Sequence, residues 1–206
     1  IALVMGEMRR IDATLSTYNP SSLISKVNRD AATGNVDITP ELLTILDKSL
    51  YYSGLSQGAF DISYASVGKH YDYRLKQQPA LGLRKQLLSA IGYHQIHLNR
   101  VTYQVAFAHP QLQIGLGGIA KGYAVDRSIA ILVALGITSA SISAGGDSRV
   151  LGDKRGKPWL VGIKNPRGRP GDGVAIVVPL TNAAISTSGD YERFFFDDQT
   201  DERIHH

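Results

Sequence analysis

The passage Gly115-Leu116-Gly117-Gly118-Ile119-Ala120-Lys121-Gly122-Tyr123-Ala124-Val125-Asp126 carries the chemistry most plainly legible in this chain. An apolar stretch rich in β-formers runs into it, and a helix is expected to follow. A helix that opens on glycines leaves its first N–H groups without intrahelical partners, lets a ligand reach bare backbone, and carries positive partial charge at that end. Such a start is a ready site for a phosphate or diphosphate. A tight strand-to-helix turn with glycines placed only for packing has the same local sequence, so the rest of the chain must decide.

One rival fits the glycines on their face. Gly115-x-Gly117-x-x-Ala120 satisfies the relaxed dinucleotide-binding fingerprint, which also demands an acidic residue about twenty positions on and continued strand–helix alternation. Asp147 lies too far along and past Gly145 and Gly146, and everything after it reads as hairpins. A nucleotide phosphate site survives this test; a Rossmann domain does not.

The elements that must position the glycines are legible in outline. Residues 1–15 read as a helix, with Val4, Met8, Ile11 and Leu15 at helical spacing. Tyr18-Asn19-Pro20-Ser21-Ser22 breaks it. Thr39 and Pro40 are a cap and a first-turn proline ahead of Leu42, Leu43, Ile45, Leu46 and Leu50, a helix expected to end by Gly54 or Gly58. A third helix is expected over 83–91, short strands over 95–98 and 102–107, and a fourth helix over 119–135, stopped by Gly136. Strands then follow over 139–143, 149–151, 159–163, 174–180, 183–186, 191–196 and from 203 onward, separated by turn-prone Gly, Asn and Asp. Helices early and hairpins late indicate an α+β chain with helices packed on a mixed, largely antiparallel sheet.

Composition sets the bounds. With 206 residues, 43% hydrophobic and 19% charged, the chain fits one globular domain or two closely packed halves. No apolar run is long enough to cross a bilayer, and no basic segment followed by an apolar one opens the sequence. The absence of cysteine excludes disulfides and thiolate metal sites and is compatible with cytoplasm or an oxidising compartment. A net charge of +4 favours anionic ligands or surfaces. The basic residues gather in Lys154-Arg155-Gly156-Lys157 and over 164–169, which read as solvated loops. Nucleic-acid binding would need interleaved stacking aromatics, and Trp159 is the one aromatic there.

The residues also resemble a known family. Ordered segments carry the likeness: Leu15-Ser16-Thr17-Tyr18-Asn19-Pro20-Ser21-Ser22-Leu23-Ile24-Ser25, Gly58-Ala59-Phe60-Asp61-Ile62, residues 117–126, Ala144-Gly145-Gly146-Asp147, and Ile185-Ser186-Thr187-Ser188-Gly189-Asp190-Tyr191, with Arg203-Ile204-His205-His206 like the start of an Arg-x-x-His segment. In this order and spacing they resemble the ApbE family, the FAD:protein FMN transferases. The likeness covers nearly all of residues 1–206 and implies a single ApbE-like domain. It also implies that an N-terminal strand with a flavin-contacting Met, and a C-terminal Asp/Thr cluster of metal ligands, lie outside these residues.

The resemblance implies a Mg²⁺-dependent enzyme that cleaves FAD at its pyrophosphate, attaches FMN to a Thr or Ser of a respiratory flavoprotein subunit, and releases AMP. The implied acceptor pattern is Asp-Gly-x-Thr-Gly-Ala-Thr. The implied location is the periplasmic face of the inner membrane, with a lipid anchor. By likeness, Tyr18 lies against the flavin nucleotide; Ala59, Phe60 and Asp61 form an FAD-contacting step, although Phe60 by itself reads as core. Gly115, Gly117 and Lys121 fall at FAD-contacting positions, and Gly118 offers its main-chain carbonyl to Mg²⁺. His206 matches a histidine near the reacting phosphate, suited to FAD contact and to general-base work. A terminal histidine pair is also how a purification tag begins; Arg203 in register favours the native reading. The pair His94 and His97 would sit on opposite faces of a strand and reads as structural.

One departure is conspicuous. The family usually carries Asp where this chain has Gly115, so a binding module that holds FAD without transferring it is a competing expectation. An FAD pyrophosphatase, with water in place of the protein hydroxyl, is another.

Overall fold

Val4, Ile11 and Leu15 are buried along one stripe of the first helix, α1 (Ala2–Leu15), as their spacing requires. The computed structural model describes residues 1–167, 173–189, 194–197 and 201–205. After the expected break, an unanticipated helix, α2 (Leu23–Asp30), begins where Ser22 caps it: the Ser22 hydroxyl accepts from Ser25 N–H at 3.1 Å. Ile24 and Val27 anchor α2 in the core. Strand β1 (Val36–Asp37) leads to α3 (Pro40–Leu55), whose start follows the sequence closely, with the Thr39 hydroxyl accepting from Leu42 N–H at 3.2 Å.

Helix α3 stops where Gln57 (φ +54°) and Gly58 (φ +86°) enter the left-handed region, and Gly58 N–H closes on the Ser53 carbonyl at 2.8 Å. A 3₁₀ turn (Ile62–Tyr64), α4 (Ala65–Gly68) and α5 (Leu81–Leu87) follow. The helix expected over 83–91 thus starts earlier, and its last turn tightens to 3₁₀ over Leu88–Ala90. Strands β2 (Ile96–Asn99) and β3 (Gln104–Phe107) complete an antiparallel sheet of order β1-β3-β2, with Val105 opposite both Val36 and Leu98.

Helix α6 (Ala120–Ala134) is followed by Gly136 at φ +78°, the expected stop. The strands beyond are β4 (Ala140–Ala144), β5 (Asp147–Leu151), β6 (Trp159–Lys164), β7 (Val174–Leu180), β8 (Ala184–Ser186), β9 (Phe194–Phe196) and β10 (Arg203–His205). They form sheets of order β4-β5-β8, β6-β7 and β9-β10. Of the strand expected over 191–196, residues 191–193 lie outside the described residues. Every strand pairing among the described residues is antiparallel, including where a mixed sheet was expected, and a doubly wound fold is excluded.

The chain divides into two compact units, residues 10–120 and residues 1–9 with the described residues from Lys121 onward. The first has its core in α2, α3 and the β1-β3-β2 sheet, where Leu42, Leu46 and Val105 are fully buried. In the second, Val125, Ile129 and Val150 are buried.

Candidate functional site

The apolar stretch that runs into Gly115 is not a strand: β3 ends at Phe107, and residues 108–119 contain none. Leu112, Ile114 and Leu116 are buried in alternation, which explains the β-like pattern, yet no neighbouring strand supplies their hydrogen bonds. Side chains and a loop carbonyl supply them instead. Gln113 N–H donates to Ser66 Oγ at 2.9 Å, Ile114 N–H to Asn28 Oδ1 at 2.8 Å, and Gly115 N–H to the Ile62 carbonyl at 2.9 Å. Asn28 Nδ2 also donates to the Ile114 carbonyl at 2.9 Å. The glycine turn is therefore delivered by a segment pinned at Gln113, Ile114 and Gly115.

Within the turn, the Leu116 carbonyl accepts from both Ile119 N–H (2.9 Å) and Ala120 N–H (2.7 Å). Gly117 and Gly118 are exposed, and their N–H groups have no partner among the described residues. The exposed glycines Gly117 and Gly118 thus present free donors at the end of the chain segment where α6 begins.

Beside Gly118 lies a cleft of about 340 Å³ lined by Tyr52, Leu55, Ser56, Phe60, Gly118 and Ile119. Phe60 is half-buried and forms a wall of this cleft, a correction to its reading as core. A Cβ on Gly118 would stand 3.0 Å from Phe60 Cε2, so glycine is what lets the ring lie against the turn. An apolar slot lined by Gly118, with the free N–H of Gly117 next to it in the chain, suits a flat ring joined to a phosphate. Ala59 is exposed beside it, and Phe60 N–H is held by Ser56 Oγ at 2.9 Å.

Asp61 is mostly committed to the fold. Its Oδ1 accepts from Ser63 N–H (2.8 Å) and Ser63 O–H (2.6 Å), its Oδ2 accepts from Tyr93 N–H (2.8 Å), and Ser63 Oγ accepts from Gly92 N–H at 2.7 Å. A carboxylate offers about four acceptor positions, which leaves room for one ligand donor. Tyr18 is 95% exposed. Its turn is braced from within: Ser22 O–H donates to the Ser16 carbonyl and Ser25 O–H to the Asn19 carbonyl, both at 2.8 Å. The ring is a free aromatic face on a rigid mount. Shortly after Asp61 in sequence, burial raises the phenol pKa of Tyr73 to about 12 and that of Tyr64 upward, with phenol neighbours adding to both.

In the other unit, Lys121 Nζ donates to the Gly145 carbonyl at 2.9 Å, and the turn it holds has Gly145 and Gly146 at φ +54° and +98°. Thr187 N–H and O–H both donate to the Gly146 carbonyl, at 3.0 and 3.2 Å. Asp147 opens β5 and its Oδ1 accepts from Ser186 O–H at 2.5 Å, so two separate sequence motifs meet across the β5–β8 pairing. Asp147 Oδ2 lies 3.9 Å from where a Cβ on Gly122 would be, which sets a carboxylate beside the first turn of α6. Arg149 binds Asp126 of the same helix at 2.6 Å.

His206, Asp190 and Tyr191 lie outside the described residues. Among the described residues no group of three His, Cys, Asp or Glu side chains could hold a metal ion. They offer Mg²⁺ no side-chain cage for the Gly118 carbonyl to complete, and no step below runs through the ion. Asn28, Ser63 and Ser66 have no place in the sequence reading, and Ser186 stands there only within a motif; the spacing Ser22-x-x-Ser25-x-x-Asn28 is the one local hint that polar side chains line one face of α2.

Gly115 itself is tightly enclosed: a Cβ there would stand 3.0 Å from the Ala65 Cβ. Gly115→Asp is therefore expected to lose about 1–3 kcal/mol of stability through overpacking, and Gly115→Asp with Ala65→Gly to recover most of it, as read by denaturant unfolding. If the restored carboxylate contacts ligand, FAD affinity in the double variant exceeds that of Ala65→Gly alone. Equal affinity by calorimetry would show that the acid adds nothing here.

The comparisons with known proteins agree with this fold. The FAD:protein FMN transferase of Treponema pallidum is 29% identical over 215 aligned positions, covering 97% of this chain and 59% of that protein. The enzyme of the same name from Haemophilus influenzae is 26% identical, covering 91% and 57%. Among solved structures, the ApbE protein of Thermotoga maritima matches with TM-score 0.90 and 31% identity over 100% of this chain and 66% of that one. Pseudomonas stutzeri flavinyl transferase ApbE, in its apo form, matches with TM-score 0.81 and 27% identity, over 98% and 64%. The chain thus spans less than two thirds of the length of these relatives. The ApbE family model matches residues 2–206, so the fold, the ordered motifs and the comparisons converge: this chain belongs to the ApbE family.

Proposed function

We propose that the complete protein is a Mg²⁺-dependent transferase that cleaves FAD, attaches FMN to a Thr or Ser hydroxyl of a flavoprotein acceptor, and releases AMP. The observation that supports it most is the pair of unpartnered N–H groups on Gly117 and Gly118 beside the Phe60 cleft, in a chain whose relatives are named for this reaction. The diphosphate lies over those two donors, one flat ring enters the cleft, and Tyr18 offers a stacking face. The acceptor oxygen attacks the FMN phosphorus, the bond to the AMP oxygen breaks, and the hydroxyl proton passes to His206. Transfer of this kind relies on positioning and charge stabilisation, which a braced glycine turn can supply. Residues 1–206 belong to a single flavin transferase domain acting at the periplasmic face of the inner membrane on a respiratory flavoprotein subunit, held by a lipid anchor.

The test is direct. The complete protein, given FAD, Mg²⁺ and a peptide carrying Asp-Gly-x-Thr-Gly-Ala-Thr, is expected to add the mass of FMN to the peptide and release AMP, and a chelator to stop both. Steady AMP without peptide labelling would replace this reading with FAD pyrophosphatase. Tight FAD binding with neither product would replace it with a binding module, the alternative that Gly115 in place of the family Asp favours.

A further inference from the structure

We propose that Asn28 is the positioning residue of the phosphate-facing turn, an assignment that rests on the FAD reading above and extends it. Its carboxamide accepts from Ile114 N–H at 2.8 Å and donates to the Ile114 carbonyl at 2.9 Å, the same two bonds a neighbouring strand would make. The Gln113 side chain answers by donating to the Asn28 carbonyl at 2.8 Å. Ser66 and Ile62 hold the residues on either side, but each engages only an N–H donor of the segment's backbone there or shares a weak second contact. Asn28 alone takes both polar groups of one fully buried residue, where water cannot replace it.

The path from Asn28 to the ligand is short. Ile114 and Leu116 are both sunk in close-packed core two residues apart, so movement at Ile114 carries to Leu116. The Leu116 carbonyl accepts the two N–H groups that shape the turn, and Gly117 and Gly118 follow it directly. A helix side chain thereby does the work of the missing strand, fixing the height at which the two free donors stand. Asn28 touches no ligand in this scheme; it acts through Ile114.

The experiment uses the complete protein, with FAD affinity measured by calorimetry at a temperature where every variant is folded. Asn28→Ala is expected to bind FAD about 10- to 100-fold more weakly, the cost of an unpaired buried donor and acceptor. Asn28→Asp keeps the acceptor and loses the donor while ionised. Its FAD affinity is expected to recover as pH falls and the carboxyl gains the proton it needs to donate to the Ile114 carbonyl, with the unsubstituted protein showing no such gain. A folded Asn28→Ala with unchanged FAD affinity would overturn the proposal, as would a flat pH profile for a weakened Asn28→Asp. If neither variant folds, amide hydrogen exchange in the ligand-free natural sequence decides: slow exchange at Ile114 and Gly115 supports the pre-formed clamp, and exchange at unprotected rates overturns it. Failure of the unsubstituted protein to bind FAD would instead sink the functional reading itself.

Discussion

Gly117→Leu is expected to leave the fold intact and to weaken FAD binding by about two to four orders of magnitude, the equivalent of losing two hydrogen bonds to a charged group at about 1.5–3 kcal/mol each. The position is unusual in being open on the protein side. A Cβ on Gly117 meets nothing within 4 Å, the residue is exposed, and its φ is not positive, so no strain or clash penalises the larger residue. Substitutions at such places usually change stability by no more than about 0.5 kcal/mol. The leucine side chain is expected to occupy the volume that the diphosphate needs. Gly118→Ala makes the opposite test, because its Cβ meets the Phe60 ring at 3.0 Å and narrows the cleft from inside. Thermal unfolding beside a calorimetric FAD titration reads both. An undiminished affinity in folded Gly117→Leu would mean that these glycines serve packing alone.

The parts of this molecule that the sequence discloses are those governed by neighbours along the chain. The α1 stripe, the Thr39 cap with Pro40 and the Gly136 stop depend on residues within a turn or two, and they stand where expected. Helix α2 was hidden because Ser22, its cap, was absorbed into the breaker 18–22, and only two buried apolar residues mark its inner face. The apolar stretch rich in β-formers before Gly115 has the look of a strand, and Leu112, Ile114 and Leu116 are buried in alternation. That pattern reports which face is covered, not what supplies the hydrogen bonds, and here Asn28 and Ser66 supply them across 86 and 47 residues. No local signature announces such a pairing. For the same reason the likeness named Ala144-Gly145-Gly146-Asp147 and Ser186-Thr187 as motifs without showing that they meet; that required the β5–β8 register. Asp61 illustrates the remaining difficulty. Its motif speaks of ligand, while its geometry shows a carboxylate already binding Ser63 and Tyr93, a double duty no sequence separates.

The base that takes the acceptor proton is the other point on which the proposed reaction turns. Tyr64 and Tyr73 follow the Asp61 motif, but their phenol pKa values are shifted upward, mainly by burial, so both stay protonated near neutral pH and cannot accept a proton there. Asp147 already accepts a short hydrogen bond from Ser186 and lies beside the first turn of α6, so it is committed to the fold. An imidazole, which changes charge close to neutral pH, is the better match, and His206 is the residue that the family resemblance brings to the reacting phosphate. His206→Ala in the complete protein is therefore expected to slow peptide labelling at saturating FAD and Mg²⁺ by about two to four orders of magnitude, the range for loss of a general base. FAD affinity should fall little, since the proposed pose rests the diphosphate on Gly117 and Gly118 and the ring on the Phe60 cleft. The two variants thus separate: Gly117→Leu loses binding, and His206→Ala keeps binding but loses rate. A normal labelling rate in His206→Ala would dismiss the histidine as base while leaving the family membership untouched, and a matching collapse of FAD affinity would make His206 a binding residue instead.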